Sequence, residues 1–277
     1  MNDAENRTDS MAYDSFDYDL DGGIATVRLD NPAQLNALTF RTYEELAELT
    51  GSLAADRRVH VLVLTGAGKA FCSGGSVDDI IGELLKMDAA GLYRFTRLTC
   101  EVVGNMRRVE KPIIAAVNGV AAGAGAALAL ASDFRLLSDR ASMAFLFVKV
   151  GLAGSDMGAI HLLPRIVGLG RAMELLSLGD RIDAAEAHRI GLANKVVPHD
   201  DLMPEALRLA RRLRDGPRYA IGVTKKLLDL EAGMDVEAAL EMEATTQAHC
   251  MQTADFHEGF RAFMARETPR FNQGGEE

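Results

Sequence analysis

Two glycine-rich stretches of this chain offer chemistry by residue type and spacing. Each follows an apolar run and precedes a helical one: residues 65–76 (TGAGKAFCSGGS) and residues 118–125 (NGVAAGAG). Neither is a nucleotide motif. A phosphate loop needs a hydroxyl directly after its Lys, where Lys69 is followed by Ala70, and a longer glycine spacing. The dinucleotide fingerprint needs a third glycine where Leu128 stands after Gly123 and Gly125. What both stretches do offer is backbone, because the first N–H groups of a helix lack intrahelical partners and the helix dipole adds positive potential there. No side chain larger than a methyl stands at Gly74, Gly75, Gly123, Ala124 or Gly125, so a ligand oxygen can approach such groups. Two turns of this kind facing each other make an oxyanion hole, worth about 2.7–4 kcal/mol per donor in known cases. The same glycines also suit tight turns and close helix packing, and the residues alone leave both readings open.

The elements that must hold these turns are read from periodicity. Residues 16–20 and 24–29 are β-prone runs split by Asp21-Gly22-Gly23, a hairpin signal. Thr39 precedes Tyr43, Leu46, Leu49, Thr50 and Leu53, which share one face at helical period, with the Thr39 hydroxyl placed to cap. Residues 59–64 (VHVLVL) and 113–117 (IIAAV) read as buried strands, and between them Leu92, Phe95, Leu98, Val102 and Met106 line a helix. Continuous apolar strands separated by helices imply a parallel sheet covered on both faces, hence an α/β fold. Further strands are expected at 134–137, 143–148 and 195–197, and Asp183-x-x-Glu186 reads as a capping box for a short helix stopping at Gly191. Beyond Asp201 the strand signal ends, and helices begin near Asp201, Pro217, Asp235 and Asp255. The organisation expected is a flexible N-terminal tail over 1–15, a core over 16–200 and a helical region over 201–277 that packs on the core or on a neighbouring subunit.

Composition narrows the partners. Among 277 residues, 40 acidic against 30 basic side chains give a net charge of −10, and 48% are apolar, the balance of a globular chain with a sizeable core. The negative surface disfavours phosphodiester backbones and anionic lipid heads, so neither nucleic acid nor a membrane is an expected partner. Cys72, Cys100 and Cys250 are too few and too scattered for a disulfide framework or a zinc site, which fits a reducing cytoplasm and no metal. The longest apolar run, residues 119–131, falls short of the roughly 18 residues of a membrane span. The polar, acidic start of the chain is opposite in plan to a signal peptide.

Several segments together resemble the enoyl-CoA hydratase/isomerase (crotonase) superfamily: Asn31-Pro-Ala-Gln-Leu-Asn36-Ala-Leu, residues 63–75 (VLTGAGKAFCSGG), residues 111–119 (KPIIAAVNG), residues 179–187 (GDRIDAAEA), residues 191–197 (GLANKVV) and residues 255–263 (DFHEGFRAF). They occur in family order from about residue 16 to residue 271. The resemblance implies a crotonase-like ββα spiral core, which would span 16–200 as the acyl-CoA-binding part, followed by a C-terminal helical trimerisation region. It also implies an acyl-CoA thioester substrate, coenzyme A being part of that substrate with no separate cofactor, and a homotrimer or homohexamer. Matched by position, it puts the two oxyanion-hole N–H donors at Gly75 and Ala124, polarising the thioester carbonyl and stabilising an enolate. It puts the surface for pantetheine and adenine at Gln34, Leu35 and Ala37 with Ala70, Phe71 and Ser73. Phe263 and Arg266 match positions that in the family reach a neighbouring subunit's coenzyme A. By itself the Arg266 guanidinium reads equally as a phosphate contact or as a solvated helix charge.

The chain departs from the family at the proton-transferring acids. The two glutamates with which the family's hydratases move protons fall on Ala127 and Phe147, neither of which carries a proton. The acid left in the region is Asp156, in residues 151–158 (GLAGSDMG), similar to a loop of the dienoyl-CoA isomerase branch that carries a catalytic aspartate. Asp156 or Ser155 also reads as an N-cap for a helix beginning around Met157, and both roles are carried forward. Asp78 and Glu83, on the helix after the first turn, are weaker candidates. His161 reads as a histidine packed on an apolar helical face, and Cys72 as a loop cysteine without an evident partner for nucleophilic catalysis. Isomerisation, which needs one base and an enolate hole, is thereby favoured over ordinary hydration. A crotonase-fold hydrolase or decarboxylase and a non-catalytic acyl-CoA-binding protein are the competing functions.

Overall fold

The opening hairpin closes at Gly22 and Gly23, whose φ of 52° and 85° suit the inverse turn that matches strand twist. It joins β1 (Phe16–Asp21) antiparallel to β2 (Ile24–Leu29). The computed structural model describes residues 13–273. From β2 onward the chain repeats one motif, a strand in a large sheet, a strand in a small sheet, and a helix. The large sheet adds β3 (Val61–Gly66), β5 (Ile113–Val117), β7 (Phe134–Ser138) and β10 (Lys195–Val197), all parallel, in the order β1-β2-β3-β5-β7-β10. The small sheet takes β4 (Ala70–Cys72), β6 (Val120–Ala122), β8 (Ser142–Ala144) and β9 (Ile182–Asp183) in that order. This is a ββα spiral, the architecture expected.

The helices are α1 (Phe40–Ser52), α2 (Gly82–Leu84), α3 (Ala89–Arg108), α4 (Ala124–Ala131), α5 (Ala159–Val167), α6 (Leu169–Leu178) and α7 (Ala184–Arg189), then α8 (Leu202–Arg214), α9 (Arg218–Leu230), α10 (Val236–Cys250) and α11 (Ala254–Ala265). Thr39 caps α1 in a reciprocal box with Thr42. Helix α4 is all Ala, Gly and Leu and buried on every side, which only small apolar residues allow. Strand β3 alternates Leu62 and Leu64 into the main core with Val61 and Val63 onto the opposite face, where Leu202, Ala206 and Ala210 of α8 cover them. Helix α8 is therefore a layer of the core, although it follows residue 200. Helix α9 is docked by Lys225, whose Nζ donates to the carbonyls of Met106 and Lys111 and pairs with Asp133 at 2.8 Å. Helix α10 buries no residue. No helix among the described residues is long and apolar enough to cross a membrane.

Three local expectations change. The strand expected over 143–148 ends at Ala144, and Leu146–Val150 coils into a 3-10 turn. Its partner β6 stops at Ala122, where the Gly123 N–H takes the Ala144 carbonyl and the chain enters α4, so no ladder continues. Asp183 accepts from the Glu186 N–H at 2.8 Å, but the Glu186 carboxylate turns to Arg189, leaving half of the expected box. The tail expected over 1–15 stops earlier: the N–H groups of Asp14 and Ser15 each donate at 3.0 Å to the buried Glu45 carboxylate, and Tyr13 stacks on Phe16. The rest of that tail, residues 1–12, lies outside the described residues.

Candidate active site

The first glycine turn is held by two buried asparagines. Asn36, in a left-handed conformation with φ of 56°, donates through Nδ2 to the carbonyls of Ala67 at 2.9 Å and Ala70 at 2.8 Å and accepts the Asn31 N–H at 2.9 Å. Asn118 donates to Gly68 and Ala70, both at 3.1 Å, and accepts the Gly66 N–H. Residues 66–70 are thus pinned from both sides, and β4 leads directly to Gly74 and Gly75.

The second turn lies against the first. A Cβ at Gly125 would fall 2.7 Å from the Cys72 Cβ and 2.8 Å from its carbonyl carbon, so only glycine permits this approach. Gly74 holds φ of 106°, and a Cβ there would lie 3.1 Å from the Ala122 carbonyl oxygen and 3.7 Å from the Ala124 nitrogen. Leu38 bridges this strand edge, its N–H donating to the Gly74 carbonyl and its carbonyl accepting the Ser76 N–H, both at 2.8 Å. In such a parallel bridge the residue between, Gly75, points its own N–H away from Leu38. Ala124 is the first residue of α4, where an N–H has no intrahelical acceptor. Neither the Gly75 nor the Ala124 N–H donates to any group among the described residues. Two uncommitted donors therefore occupy adjoining turns at a helix N-terminus.

The side chains around this pair are mostly apolar. Ile80 comes within 3.9 Å of a Cβ built at Gly75, and Phe95 meets the Tyr43 ring edge-on at 5.6 Å. Two polar groups interrupt that wall. The Tyr43 hydroxyl is 4.0 Å from the same Cβ position, and the Asp156 carboxylate is near enough to add to the rise of the phenol's pKa, which burial drives most strongly. The Asp156 carboxyl is itself raised above the usual carboxylate range by burial, partly offset by the Met157 N–H, and it forms no ion pair among the described residues. It does not cap a helix. Helix α5 begins at Ala159 with Gly158 as a cap that lacks any side-chain bond, and Met157, at φ of 46°, intervenes. The N-cap reading of Asp156 and Ser155 is thereby corrected.

Of the other expected positions, Gln34 and Leu35 are exposed and join Ser73 in one ledge: the Ser73 N–H donates to the Leu35 carbonyl at 3.0 Å and its hydroxyl to the Gln34 carbonyl at 3.3 Å, with Ala37 beside them. Leu35 is 43% exposed at φ of 54°, an apolar side chain held out to solvent by its backbone. Ala70 and Phe71 differ from expectation. Both side chains are fully buried in β4, and the Ala70 carbonyl is occupied by the two asparagines, so neither presents a side chain to a ligand. Cys72 is also buried inward, its thiol pushed up to about 12 by loss of solvent, which suppresses the nucleophilic thiolate. His161, expected to be packed, is exposed on α5. Asp78 and Glu83 face solvent, Glu83 paired with Lys86. Ala127 and Phe147 are both buried. Phe263, 79% exposed on α11, lines a separate cavity of about 730 Å³ with Phe256, Phe260 and Phe271, and Arg266 ends that helix. Tyr43 is the polar group that sequence reasoning took only for a core position of α1.

Comparison with known proteins agrees with this fold. Residues 19–274 match the model of the enoyl-CoA hydratase/isomerase family. The chain is 34% identical over 254 residues to the 1,2-epoxyphenylacetyl-CoA isomerase of Escherichia coli K12, covering 90% of this chain and 95% of that protein. It is 33% identical over 262 residues to the crotonyl-CoA hydratase of Syntrophomonas wolfei, covering 94% and 99%. A crystal structure from Streptomyces coelicolor A3(2), a candidate enoyl-CoA hydratase, superimposes with a TM-score of 0.93 at 46% identity, spanning 99% of this chain and all 100% of that one. The chain belongs to the enoyl-CoA hydratase/isomerase family, and its ββα spiral is the crotonase fold.

Proposed function

We propose that this protein is an acyl-CoA isomerase that moves a proton along an unsaturated acyl chain through a thioester enolate. The Asp156 carboxylate takes a proton from the carbon next to the unsaturation. The electron pair spreads into the thioester carbonyl, whose oxygen is held by the N–H groups of Gly75 and Ala124. The Asp156 carboxylic acid then returns the proton at the other end of the conjugated system, shifting the double bond. The observation that carries this reading is the solitary Asp156 carboxyl, half-buried, without an ion pair among the described residues and raised above the usual carboxylate range by burial, whose charge reaches the Tyr43 hydroxyl 4.0 Å from the Gly75 side-chain position, next to two uncommitted N–H donors. Ala127 and Phe147 supply no second acid, which favours isomerisation over addition of water.

The ledge of Gln34, Leu35, Ala37 and Ser73 fits a pantetheine chain leading to those donors. The exposed aromatic surface of α11 supports assembly as a homotrimer, or a pair of trimers, in which Phe263 and Arg266 approach a neighbouring chain's coenzyme A. Three free cysteines fit a cytoplasmic enzyme. The test is Asp156→Asn, assayed on crotonyl-, dienoyl- and β,γ-enoyl-CoA. Turnover is expected to fall by about 10²–10⁴, with acyl-CoA affinity within twofold. Full activity of the variant on every substrate the parent processes would move the proton carrier elsewhere. Binding without turnover in the parent would instead mark a non-catalytic acyl-CoA-binding protein.

A further inference from the structure

Tyr43 is 3% exposed, its hydroxyl makes no hydrogen bond to another described residue, and its oxygen is not among the fully buried polar atoms that lack a partner, so the little surface the side chain keeps includes that oxygen. Water can satisfy that oxygen in the free protein, but once an acyl chain covers it a hydroxyl left without a partner is costly. A phenylalanine would fill the same space with the same packing against Phe95 and no such cost. The hydroxyl is also held in place: Thr39 caps α1 and the Leu38–Gly75 bridge ties the start of that helix to the first glycine turn, so the ring is set by backbone.

Its direction identifies the partner. The hydroxyl stands 4.0 Å from the side-chain position of Gly75, on the face occupied by Ile80 and not at the edge opposite Leu38 towards which the Gly75 N–H points. It feels the charge of Asp156 across the same space. An acyl-CoA whose thioester oxygen is held by Gly75 and Ala124 would run its first chain carbons between Tyr43 and Asp156. Burial keeps the phenol protonated, so at neutral pH it acts as a donor. We infer that Tyr43 is a specificity-determining residue whose hydroxyl donates a hydrogen bond to an oxygen substituent on the β or γ carbon of the acyl group, so that the site selects oxygen-bearing acyl-CoA thioesters over plain alkyl ones. A pocket built to hydrogen-bond a substrate oxygen rejects the analogue lacking it, because its own polar group is then stranded.

This inference rests on the acyl-CoA reading above, and its test separates the two. Calorimetric affinities of butyryl-CoA, 3-hydroxybutyryl-CoA and 4-hydroxybutyryl-CoA are compared for the parent protein and Tyr43→Phe. The parent is expected to bind one of the hydroxylated thioesters about tenfold more tightly than butyryl-CoA, the size of one well-made neutral hydrogen bond plus a rescued donor. Tyr43→Phe should reduce that preference to within about twofold while leaving butyryl-CoA affinity unchanged, which also shows that the variant site is folded. A parent without the preference, or a variant that keeps it, overturns the inference. Equal weakening of all three thioesters overturns it as well, since the hydroxyl would then serve the common thioester oxygen. Failure of the parent to bind butyryl-CoA at all would overturn the acyl-CoA reading itself.

Discussion

Replacement of Gly125 by Ala adds one methyl group at the place where the two glycine turns touch. That methyl would lie 2.7 Å from the Cys72 Cβ and 2.8 Å from its carbonyl carbon, and closer still to the carbonyl oxygen. Ordinary carbon contacts need about 3.5–4.0 Å, so the turns must separate by about 1 Å. Both partners are backbone or the first side-chain atom, and no rotamer change relieves the overlap. Overpacking of this kind costs about 1–3 kcal/mol, against which the better helix propensity of Ala returns at most about 1 kcal/mol. A net loss of about 1–2 kcal/mol in chemical denaturation is expected. The functional effect should be larger, because a displacement of about 1 Å in a reacting geometry costs about 10²-fold. Turnover should fall by that order, while acyl-CoA affinity, to which the Gln34–Ser73 ledge is proposed to contribute, drops less. Gly170→Ala is the control: Gly170 lies in α6 with nothing within 4 Å of its Cβ position, so that variant should be neutral or slightly stabilised. Turnover within threefold of the parent in Gly125→Ala, at unchanged stability, would refute the idea that contact between the turns sets the spacing of the two donors.

The Asp156 carboxyl titrates above its ordinary value of 3.8 in the folded protein, so between the two pKa values the folded state holds the extra proton and stability falls as pH rises. Asp156→Asn should therefore match or exceed the parent in melting temperature at pH 7, with the advantage vanishing as pH falls through the ordinary carboxylate range, and a lower melting temperature at pH 7 would show a structural role. Parent activity should decline on the acid side at a pH above 3.8, tracking the same group in a pH–rate profile. Asn36→Ala removes three hydrogen bonds and leaves a methyl residue in the left-handed region, for an expected cost of about 2–4 kcal/mol in denaturant titration and weaker acyl-CoA binding; stability within about 0.5 kcal/mol of the parent would mean that Asn118 alone holds the turn. Phe260→Glu places a charge on the exposed aromatic face of α11, and sedimentation should show the proposed trimer breaking into smaller species with the monomer fold intact by circular dichroism.

The elements that the chain announces locally are those in which periodicity, capping and turn chemistry act within a few residues. The Gly22-Gly23 hairpin, the Thr39 cap, the parallel run of β3 and β5 and the four helices after residue 200 all belong to this class, and each is found where its signal places it except β3, which runs two residues later than the expected 59–64. What escaped the sequence reading depends on partners far along the chain. Tyr43 shares the apolar face of α1, and nothing within its own helix distinguishes a core phenol from one aimed at a pocket. The distinction arises from the bridge between Leu38 and Gly75, 37 positions apart, which turns the start of α1 toward the first glycine turn. Ala70 and Phe71 were placed on the ligand surface by the family resemblance alone, and the three residues of β4 are too short to display the alternation that would have marked them as buried in the register with β6. Asp156 looked like a helix cap because a polar residue before an apolar run usually is one. Here Met157 and Gly158 both adopt positive φ, which turns the chain before α5 can begin and leaves the carboxyl close enough to Tyr43 for its charge to act on the phenol. The backbone donors were legible because small residues at a helix start are a local pattern. The polar side chains that face them were not, because their direction is decided by how one turn of the spiral stacks on the next.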